Sequence, residues 1–152
     1  MAITIRDLSM NDIDRVCELE EEAFSMPWHK ESFIDMVNNP DALYLVAVET
    51  VDGDKQEIVL GCAGLLSVVG EGEICNIVVA SDRRGEHIGE ALVRELLKRA
   101  EDEYGVTAYT LEVRKSNAPA IALYEKLGFV SEGIRPNFYD RPNEDAIIYW
   151  KR

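Results

Sequence analysis

Near the start of the chain, hydrophobic residues recur with helical spacing after a short strand-like stretch. Residues 4–7 predict a strand, and Ser9 followed by Asp12 resembles a capping box that opens a helix. Segment 25–28 ends this helix, and a second, shorter helix is predicted over about 30–37. The apolar positions that define the first helix are Ile13, Val16, Cys17, Ala23 and Phe24.

Three β-rich segments come next. Segments 42–50 and 58–67 are joined through Asp52-Gly53, a dipeptide that is a strong hairpin signal. A further strand is predicted over 73–80, after a glycine-containing turn at 70–72. These runs predict a sheet that continues from the first strand.

The second half alternates between helical and strand patterns. Gly105 and Gly128 stand directly after the two helical segments, as stop signals do. The face of the first of these helices carries Ala91, Leu92, Leu96, Leu97 and Ala100. In order, the predicted elements are a polar loop (81–89), a helix (88–104), a strand (108–114), a helix (118–127) and two strands (129–134 and 145–150) separated by a loop (135–143). The order β-α-α-β-β-β-α-β-α-β-β predicts an α/β fold with a mixed sheet and helices on its faces.

Composition indicates a soluble globular protein with one domain spanning residues 1–152. Apolar residues make up 47% and charged residues 30% of the 152 positions. No apolar signal core stands at the N-terminus, and the longest uncharged run, 58–70, is too short to span a bilayer. Three widely spaced cysteines and two histidines give neither a disulfide framework nor a metal site. We therefore expect a protein of the reducing cytoplasm, with no metal and no membrane partner.

The charge is strongly asymmetric along the chain. Sixteen basic and 29 acidic residues give a net charge of −13, which argues against nucleic acid as a direct partner. The first 82 residues hold 17 acidic and 4 basic residues, whereas the rest holds 12 of each. Either the excess is a solvated helix face, or the acidic half receives a basic partner while the neutral half accepts an anionic one. The helix face in question carries Glu18, Glu20, Glu21 and Glu22.

Segment 78–89 has the pattern of a strand, a basic glycine-containing loop and a helix start. Free N–H groups at the start of a helix, together with the helix dipole, favour an anion. Arg83 and Arg84 add full charges, and Gly85 and Gly89 allow a diphosphate to approach the backbone. Taken alone, this pattern is weak evidence for phosphate binding.

A longer pattern makes the interpretation specific. The loop Arg84-x-x-His87-x-Gly89 is followed by a segment, 111–129, that reads LEVRKSNAPAIALYEKLGF. These motifs resemble the GNAT family of N-acetyltransferases, which binds acetyl-CoA on such a loop. With 24–28 and the 137–148 ending, the whole chain resembles the RimI branch, the ribosomal-protein-alanine N-acetyltransferases. The resemblance implies a mixed, mostly antiparallel sheet of about seven strands with about four helices on its faces.

The resemblance also assigns residues to the binding of acetyl-CoA. The loop residues are Arg84, Gly85, Glu86, His87, Ile88 and Gly89. Backbone N–H groups of Ile77, Val78 and Val79 are expected to meet the oxyanion. Asn117 is either a plain helix cap or a polar contact to the cofactor. One departure stands out: His87 replaces the family's middle loop glycine, so its Cβ either obstructs the diphosphate or its imidazole donates to it.

Two residues are candidates for proton transfer. Glu112 lies inside an apolar strand, where it is either an ion-pair partner of Arg114 or Lys115 or a general base. Tyr124 falls on an apolar helix face, which is typical of a core aromatic, but a phenol is also a good proton donor to a thiolate. The resemblance implies that Glu112 is the base and Tyr124 the acid beside the sulfur of coenzyme A.

The RimI resemblance implies that the acceptor is the N-terminal alanine of a small-subunit ribosomal protein, and the acidic first half of the chain fits a basic protein N-terminus. An α-amine has a pKa of roughly 7.7–8.0 and lysine of roughly 10.4, so a lone glutamate suits the α-amine better. Trp28 and Tyr139 either wall a peptide groove or serve as hydrophobic anchors. Other hypotheses are the same chemistry on a different N-terminus or small amine, and a non-catalytic acyl-CoA-binding module.

Overall fold

A computed structural model describes residues 2–51 and 56–152. The predicted order of elements is confirmed over these residues. The predicted turn at Asp52-Gly53 lies outside them. The strands are β1 (Ala2–Asp7), β2 (Ala42–Thr50), β3 (Glu57–Val68), β4 (Glu71–Val79), β5 (Ala108–Arg114), β6 (Val130–Tyr139) and β7 (Glu144–Lys151). The helices are α1 (Ile13–Ala23), α2 (Lys30–Val37), α3 (Ile88–Tyr104) and α4 (Ala118–Lys126), with short 3-10 turns at Met10–Asp12 and Ser81–Arg83.

All seven strands form one sheet in the order β1-β2-β3-β4-β5-β7-β6. Every neighbouring pair is antiparallel except β4 and β5, which run parallel. This confirms the predicted mixed, mostly antiparallel sheet with four helices. No helix of the described residues is both long and apolar enough to cross a membrane.

The parallel pair opens soon after it begins. β4 and β5 share only three register positions, the last joining Glu73 to Thr110. Just beyond, the pairing of β4 with β3 jumps from Ile74 to Asn76, so Cys75 is an extra residue in β4. Such a bulge bends its strand. β4 therefore stays paired with β3 but leaves β5, and the two strands diverge toward the start of α3.

The sheet is covered on both faces, which explains the continuous apolar run of β2. Alternate residues of β2 enter different cores: Leu45 packs in the cluster that contains Leu92 of α3, and Val46 in the cluster that contains Val16 of α1. A buried leucine of this kind stabilises the fold by about 1.5–3 kcal/mol. The two cores hold α1 and α3 on opposite sides of the diverging strands.

Three local predictions need correction. The predicted loop 135–143 is too long: only 140–143 form the turn, because β6 continues to Tyr139 through an irregular register in which Asn137 adopts φ +55. Gly72 is a buried strand residue, not a turn residue: a Cβ there would lie 3.0 Å from the Tyr109 ring. On α3, Ala91 is exposed and Val93 is buried.

Capping accounts for the ends of the helices that flank the site. The backbone N–H of Ser9 donates to Asp12 at 2.8 Å, which confirms the predicted capping box. Gly105 ends α3 in the left-handed conformation, with φ +65. Asn117 opens α4, because its side-chain oxygen accepts from the N–H of Ala120 at 3.3 Å.

Candidate active site

Two cavities open where β4 leaves β5. The first, which we call the donor groove, has a volume of about 1160 Å³ and lies between the diverging strands and the starts of α3 and α4. The second, the acceptor cleft, has a volume of about 710 Å³ and follows β5, β7 and β6. The residues that line both cavities are Trp28, Ile74, Cys75, Leu111, Glu112, Phe138 and Tyr139. A molecule in one cavity therefore meets a molecule in the other at the opened end of the sheet.

The loop before α3 forms the outer end of the donor groove. Gly85 has φ +87, and a Cβ added there would have no atom within 4 Å. His87 takes the left-handed conformation at φ +63 directly before the helix, and its side chain is 79% exposed. Its Nδ1 lies 3.8 Å from a carboxylate oxygen of Glu90. The loop thus leaves the first N–H groups of α3 facing open space, where they favour an anion.

The two arginines of this loop differ in their surroundings. Arg83 contacts Glu49 of β2 at 2.8 Å and Glu86 at 2.7 Å. Arg84 is exposed and, among the described residues, forms no ion pair, although it lines the donor groove. Arg83 therefore ties the loop to the sheet, and Arg84 has its charge free for an anionic ligand.

Glu112 stands on β5 between the two cavities. Its side chain is 24% exposed, and its Oε2 is buried with no hydrogen-bond partner in the described part of the chain. Nε of Arg135 lies 3.3 Å from this oxygen. Arg114 instead contacts Glu144 at 3.2 Å and the backbone oxygens of Asp140 and Pro142, so it is not the partner of Glu112.

Tyr124 lies on the inner face of α4 and lines the donor groove. Its ring packs 5.7 Å from Phe129 and 6.5 Å from Tyr149, centre to centre. Burial raises the pKa of the phenol above its ordinary value of 10.0, so the group keeps its proton at physiological pH. Its hydroxyl forms no hydrogen bond with any described residue. Both the core aromatic and the proton donor of the sequence analysis are compatible with this position.

Trp28 and Tyr139 both line the junction of the two cavities, Trp28 from the segment between α1 and α2 and Tyr139 from the end of β6. The Trp28 ring packs 5.4 Å from Phe33, and the guanidinium of Arg114 lies 4.5 Å above the Tyr139 ring. Burial, and then the nearby carboxylate of Glu112, raises the pKa of Tyr139 above 10.0. Each ring is anchored on one side and lines the cavities on the other.

A buried carboxylate holds the segment that carries Trp28. Glu20 of α1 is 1% exposed and accepts from the Trp28 backbone at 3.1 Å and from Nδ2 of Asn76 at 3.2 Å. The Tyr44 hydroxyl donates to Oδ1 of Asn76 at 2.9 Å. Burial raises the pKa of Glu20, while the two hydrogen bonds oppose this shift. One interpretation of the acidic half placed Glu20 on a solvated helix face. That interpretation is wrong for Glu20, because its side chain is buried.

Most residues predicted to bind acetyl-CoA line the donor groove. They are Ile77, Val78, Val79, Arg84, Gly85, His87, Ile88, Gly89 and Asn117. Glu86 does not line it, because its side chain turns to Arg83. Sequence reasoning missed Arg135 and Glu73, which reach the acceptor cleft from β6 and β4. The alternation of side chains along β4 and β6 could have shown which residues share a face of each strand. Placing these residues in one cleft also requires the pairing of strands that are distant in sequence, which the sequence does not give.

Comparisons with known proteins agree with this geometry. The model of the acetyltransferase (GNAT) family matches residues 13–129. A Bacillus subtilis (strain 168) protein, provisionally named a ribosomal protein bS18-alanine N-acetyltransferase, is 37% identical over 96% of this chain and 93% of its own length. The ribosomal protein bS18-alanine N-acetyltransferase of Escherichia coli (strain K12) is 35% identical over 95% and 94%. The crystal structure of the ribosomal-protein-S18-alanine N-acetyltransferase from Escherichia coli superposes with a TM-score of 0.84 at 34% identity, covering 98% of this chain and 92% of that one.

The chain belongs to the GNAT family of acetyltransferases, and it is an N-acetyltransferase. Within that family it is of the RimI type. The expected fold and family are thereby confirmed.

Proposed function

We propose that this chain, as a single domain acting in the cytoplasm, uses acetyl-CoA to acetylate the N-terminal alanine of a small-subunit ribosomal protein. The observation that carries the proposal is the meeting of the donor groove and the acceptor cleft at Glu112, with Tyr124 lining the donor side. The names of the relatives support the acceptor class. The three cysteines, all free, suit a reducing compartment.

The donor groove fits the parts of acetyl-CoA. The diphosphate would lie on the N–H groups that open α3, where Gly85 leaves room and Arg84 supplies positive charge. His87 replaces a glycine without closing this approach, because its side chain points largely into solvent. The acyl end would reach the junction beside Tyr124. The oxyanion would meet the backbone N–H groups within 77–79 that face away from β3, because β5 does not pair with this part of β4.

The proposed reaction is a direct transfer. The acceptor nitrogen attacks the thioester carbon, so that a C–N bond forms and the C–S bond breaks. Glu112 takes the proton that the amine loses, directly or through water. Tyr124 gives its proton to the departing thiolate, because the phenol lines the donor groove and is protonated at neutral pH. Glu112 lies on β5 and lines both cavities, and Tyr124 lies on α4 and lines the donor groove.

An α-amine is the acceptor that suits this arrangement. Its pKa of roughly 7.7–8.0 leaves a useful neutral fraction at pH 7, whereas lysine, at roughly 10.4, needs about 3–4 kcal/mol more to lose its proton. Among the described residues, Glu112 is the one carboxylate that lines both cavities. A single carboxylate base therefore suits the α-amine better than lysine, because the protonated α-amine loses its proton more easily.

The test is a thiol-release assay with acetyl-CoA and a basic peptide that begins with alanine. We expect turnover by the unmodified enzyme, and a decrease of about 100-fold or more in kcat for Glu112→Gln at unchanged acetyl-CoA affinity. Glu101→Gln, an exposed position on α3, is the matched control and retains full activity. An N-terminally blocked peptide that keeps a lysine is not acetylated if the α-amine is the acceptor.

Two results would contradict the proposal. Unchanged turnover in Glu112→Gln would remove this residue as the base. Tight acetyl-CoA binding without turnover of any peptide would instead indicate a non-catalytic acyl-CoA-binding module. Mass spectrometry of ribosomal proteins from cells that lack the gene identifies the natural acceptor by the N-terminus that loses its acetyl group.

A further inference from the structure

The acceptor cleft contains a carboxylate that the proposed reaction does not use. Glu73 lies on β4 at the last position where β4 still pairs with β5, opposite Thr110. Both Glu73 and Thr110 line the acceptor cleft, and neither lines the donor groove. Glu73 therefore belongs to the side of the junction from which the amine arrives.

Strand register fixes where Glu73 stands relative to Glu112. Residues paired across a sheet point to the same face, and so do residues two apart along one strand. Glu73, Thr110 and Glu112 therefore share a face. Glu112 is two residues beyond Thr110, which is about 6.6 Å along β5, and the lateral strand spacing adds about 4.8 Å. The Cα atoms of Glu73 and Glu112 are thus about 8 Å apart, which is a little more than two residues of extended peptide.

The charges of the cleft leave Glu73 uncompensated. The charged residues that line it are Glu73, Glu112 and Arg135. Arg135 lies 3.3 Å from Glu112 and 5.5 Å from the centre of the Phe138 ring, so its charge is already matched. Glu73 is exposed, and across 2–51 and 56–152 its carboxylate forms no ion pair or hydrogen bond. The net charge that an arriving peptide meets in this cleft is negative.

We infer that Glu73 determines specificity for a cationic side chain, lysine or arginine, at the second residue of the acceptor peptide. This inference rests on the proposed function. With the α-amine at Glu112, the Cα of residue 2 lies only one peptide unit further, about 3.8 Å from that of residue 1. The flexible stem of lysine or arginine spans the remaining distance to Glu73, and the apolar walls of the cleft suit the methylene groups of such a stem. Those walls include Met36, Leu66, Ile74 and Trp150.

The experiment compares kcat/KM for peptides that begin Ala-Arg, Ala-Gln and Ala-Glu and are otherwise identical. For the unmodified enzyme, we expect the Ala-Arg peptide to exceed the Ala-Gln peptide by about fivefold, the effect of one partly exposed ion pair. Glu73→Gln removes this preference by raising KM for Ala-Arg while kcat at saturation stays the same. Glu73→Lys reverses it and favours Ala-Glu. The preference also decreases at high salt, because the pair is open to solvent.

Glu71→Gln is the matched control. Glu71 lies two residues earlier on the same face of β4, but it lines neither cavity. It therefore leaves the peptide preference unchanged.

Different results separate this inference from the proposed function. If the unmodified enzyme turns over peptides but treats Ala-Arg and Ala-Gln alike, the inference is overturned while the function stands. A preference that survives in Glu73→Gln, or one that follows residue 3 instead of residue 2, also overturns it. Absence of turnover with every peptide overturns the proposed function and this inference together.

Discussion

Arg83 and Arg84 are neighbours in the chain, yet only the guanidinium of Arg83 is held by carboxylates. Both arginines line the donor groove, but Arg83 bridges the buried Glu49 of β2 and Glu86 of its own loop, whereas Arg84 forms no ion pair with a described residue. Two basic residues that look equivalent in the sequence therefore have different physical roles.

This difference predicts opposite effects of two matched substitutions. Arg84→Ala weakens acetyl-CoA binding about three- to tenfold, because one charge near the phosphates is lost, and leaves the melting temperature unchanged. Arg83→Ala lowers the melting temperature, because Glu49 is left without its partner. Calorimetry with acetyl-CoA and thermal unfolding measure both. Equal loss of affinity in the two variants with no change in stability would contradict the assignment.

Tyr124→Phe tests the proposed acid with little effect on packing. The ring stays against Phe129 and only a hydroxyl without a hydrogen-bond partner among the described residues is lost. We expect kcat to fall about 100-fold at an unchanged melting temperature. Tyr109→Phe is the control with the reverse profile: its hydroxyl donates to the Leu97 carbonyl at 2.8 Å, so the free energy of unfolding falls by about 1 kcal/mol and kcat is retained. A fully active Tyr124→Phe variant would exclude the phenol as acid.

His87→Gly relieves the left-handed backbone in the phosphate loop. The left-handed conformation destabilises the folded state by about 1–2 kcal/mol when the residue is not glycine. Glycine removes this strain, but it also loses more conformational entropy on folding, which offsets part of the gain. We expect the free energy of unfolding to increase by about 0.5–1 kcal/mol, with acetyl-CoA affinity within a few-fold of that of the unmodified protein. Val69→Gly, at φ +48 in an exposed turn away from both cavities, gives a similar stabilisation. Acetyl-CoA binding that is undetectable in the unmodified protein and appears in His87→Gly would show that the imidazole obstructs the loop.

Glu20 and Glu22, two residues apart on α1, are predicted to have opposite effects on the pH dependence of stability. Burial raises the pKa of Glu20 above 4.5, so between 4.5 and that raised value the folded state holds a proton that the unfolded state has released. Stability relative to Glu20→Gln therefore decreases as pH rises above 4.5. Hydrogen bonds from Ser81 lower the pKa of Glu22, so stability relative to Glu22→Gln is lost as pH falls through that lowered value.

Urea unfolding of the unmodified protein and both variants between pH 3.5 and 7 measures this prediction. For each variant, we expect the difference in the free energy of unfolding between the unmodified protein and the variant to change with pH, and the two differences change in opposite directions. Parallel curves would mean that Glu20 is not kept from solvent in the folded protein.

The sequence predicted the fold best where a periodic pattern and a stop signal coincide. The bounds of α3 match the prediction because its apolar spacing ends at Gly105. β6 was predicted too short, because Pro136 and Asn137 are typical turn residues. An edge strand tolerates such residues as an irregularity in its register, and only the pairing with β7 reveals this.

The residues of the candidate site also fall into two groups, those that a local motif predicts and those that depend on long-range contacts. Glu112 and Tyr124 could be predicted as site residues because they belong to one local motif, 111–129, and both line the donor groove. Arg135, Glu73 and Glu20 were not assigned to the site, because their positions depend on contacts between elements far apart in sequence. A buried acid such as Glu20 has the same local pattern as its exposed neighbours until the opposing strand supplies Asn76.

The extra residue at Cys75 bends β4 away from β5 and so leaves an opening between these two strands of the sheet. In the proposed reaction, a coenzyme in the donor groove and a peptide in the acceptor cleft are bound at the same time and meet at this opening, so no acyl group has to be transferred to the protein first. A single compound that joins coenzyme A to a short alanine peptide through an acetyl linker fills both passages at once. Its second half then binds at the high effective concentration set by the first, which makes such a conjugate the natural starting point for an inhibitor.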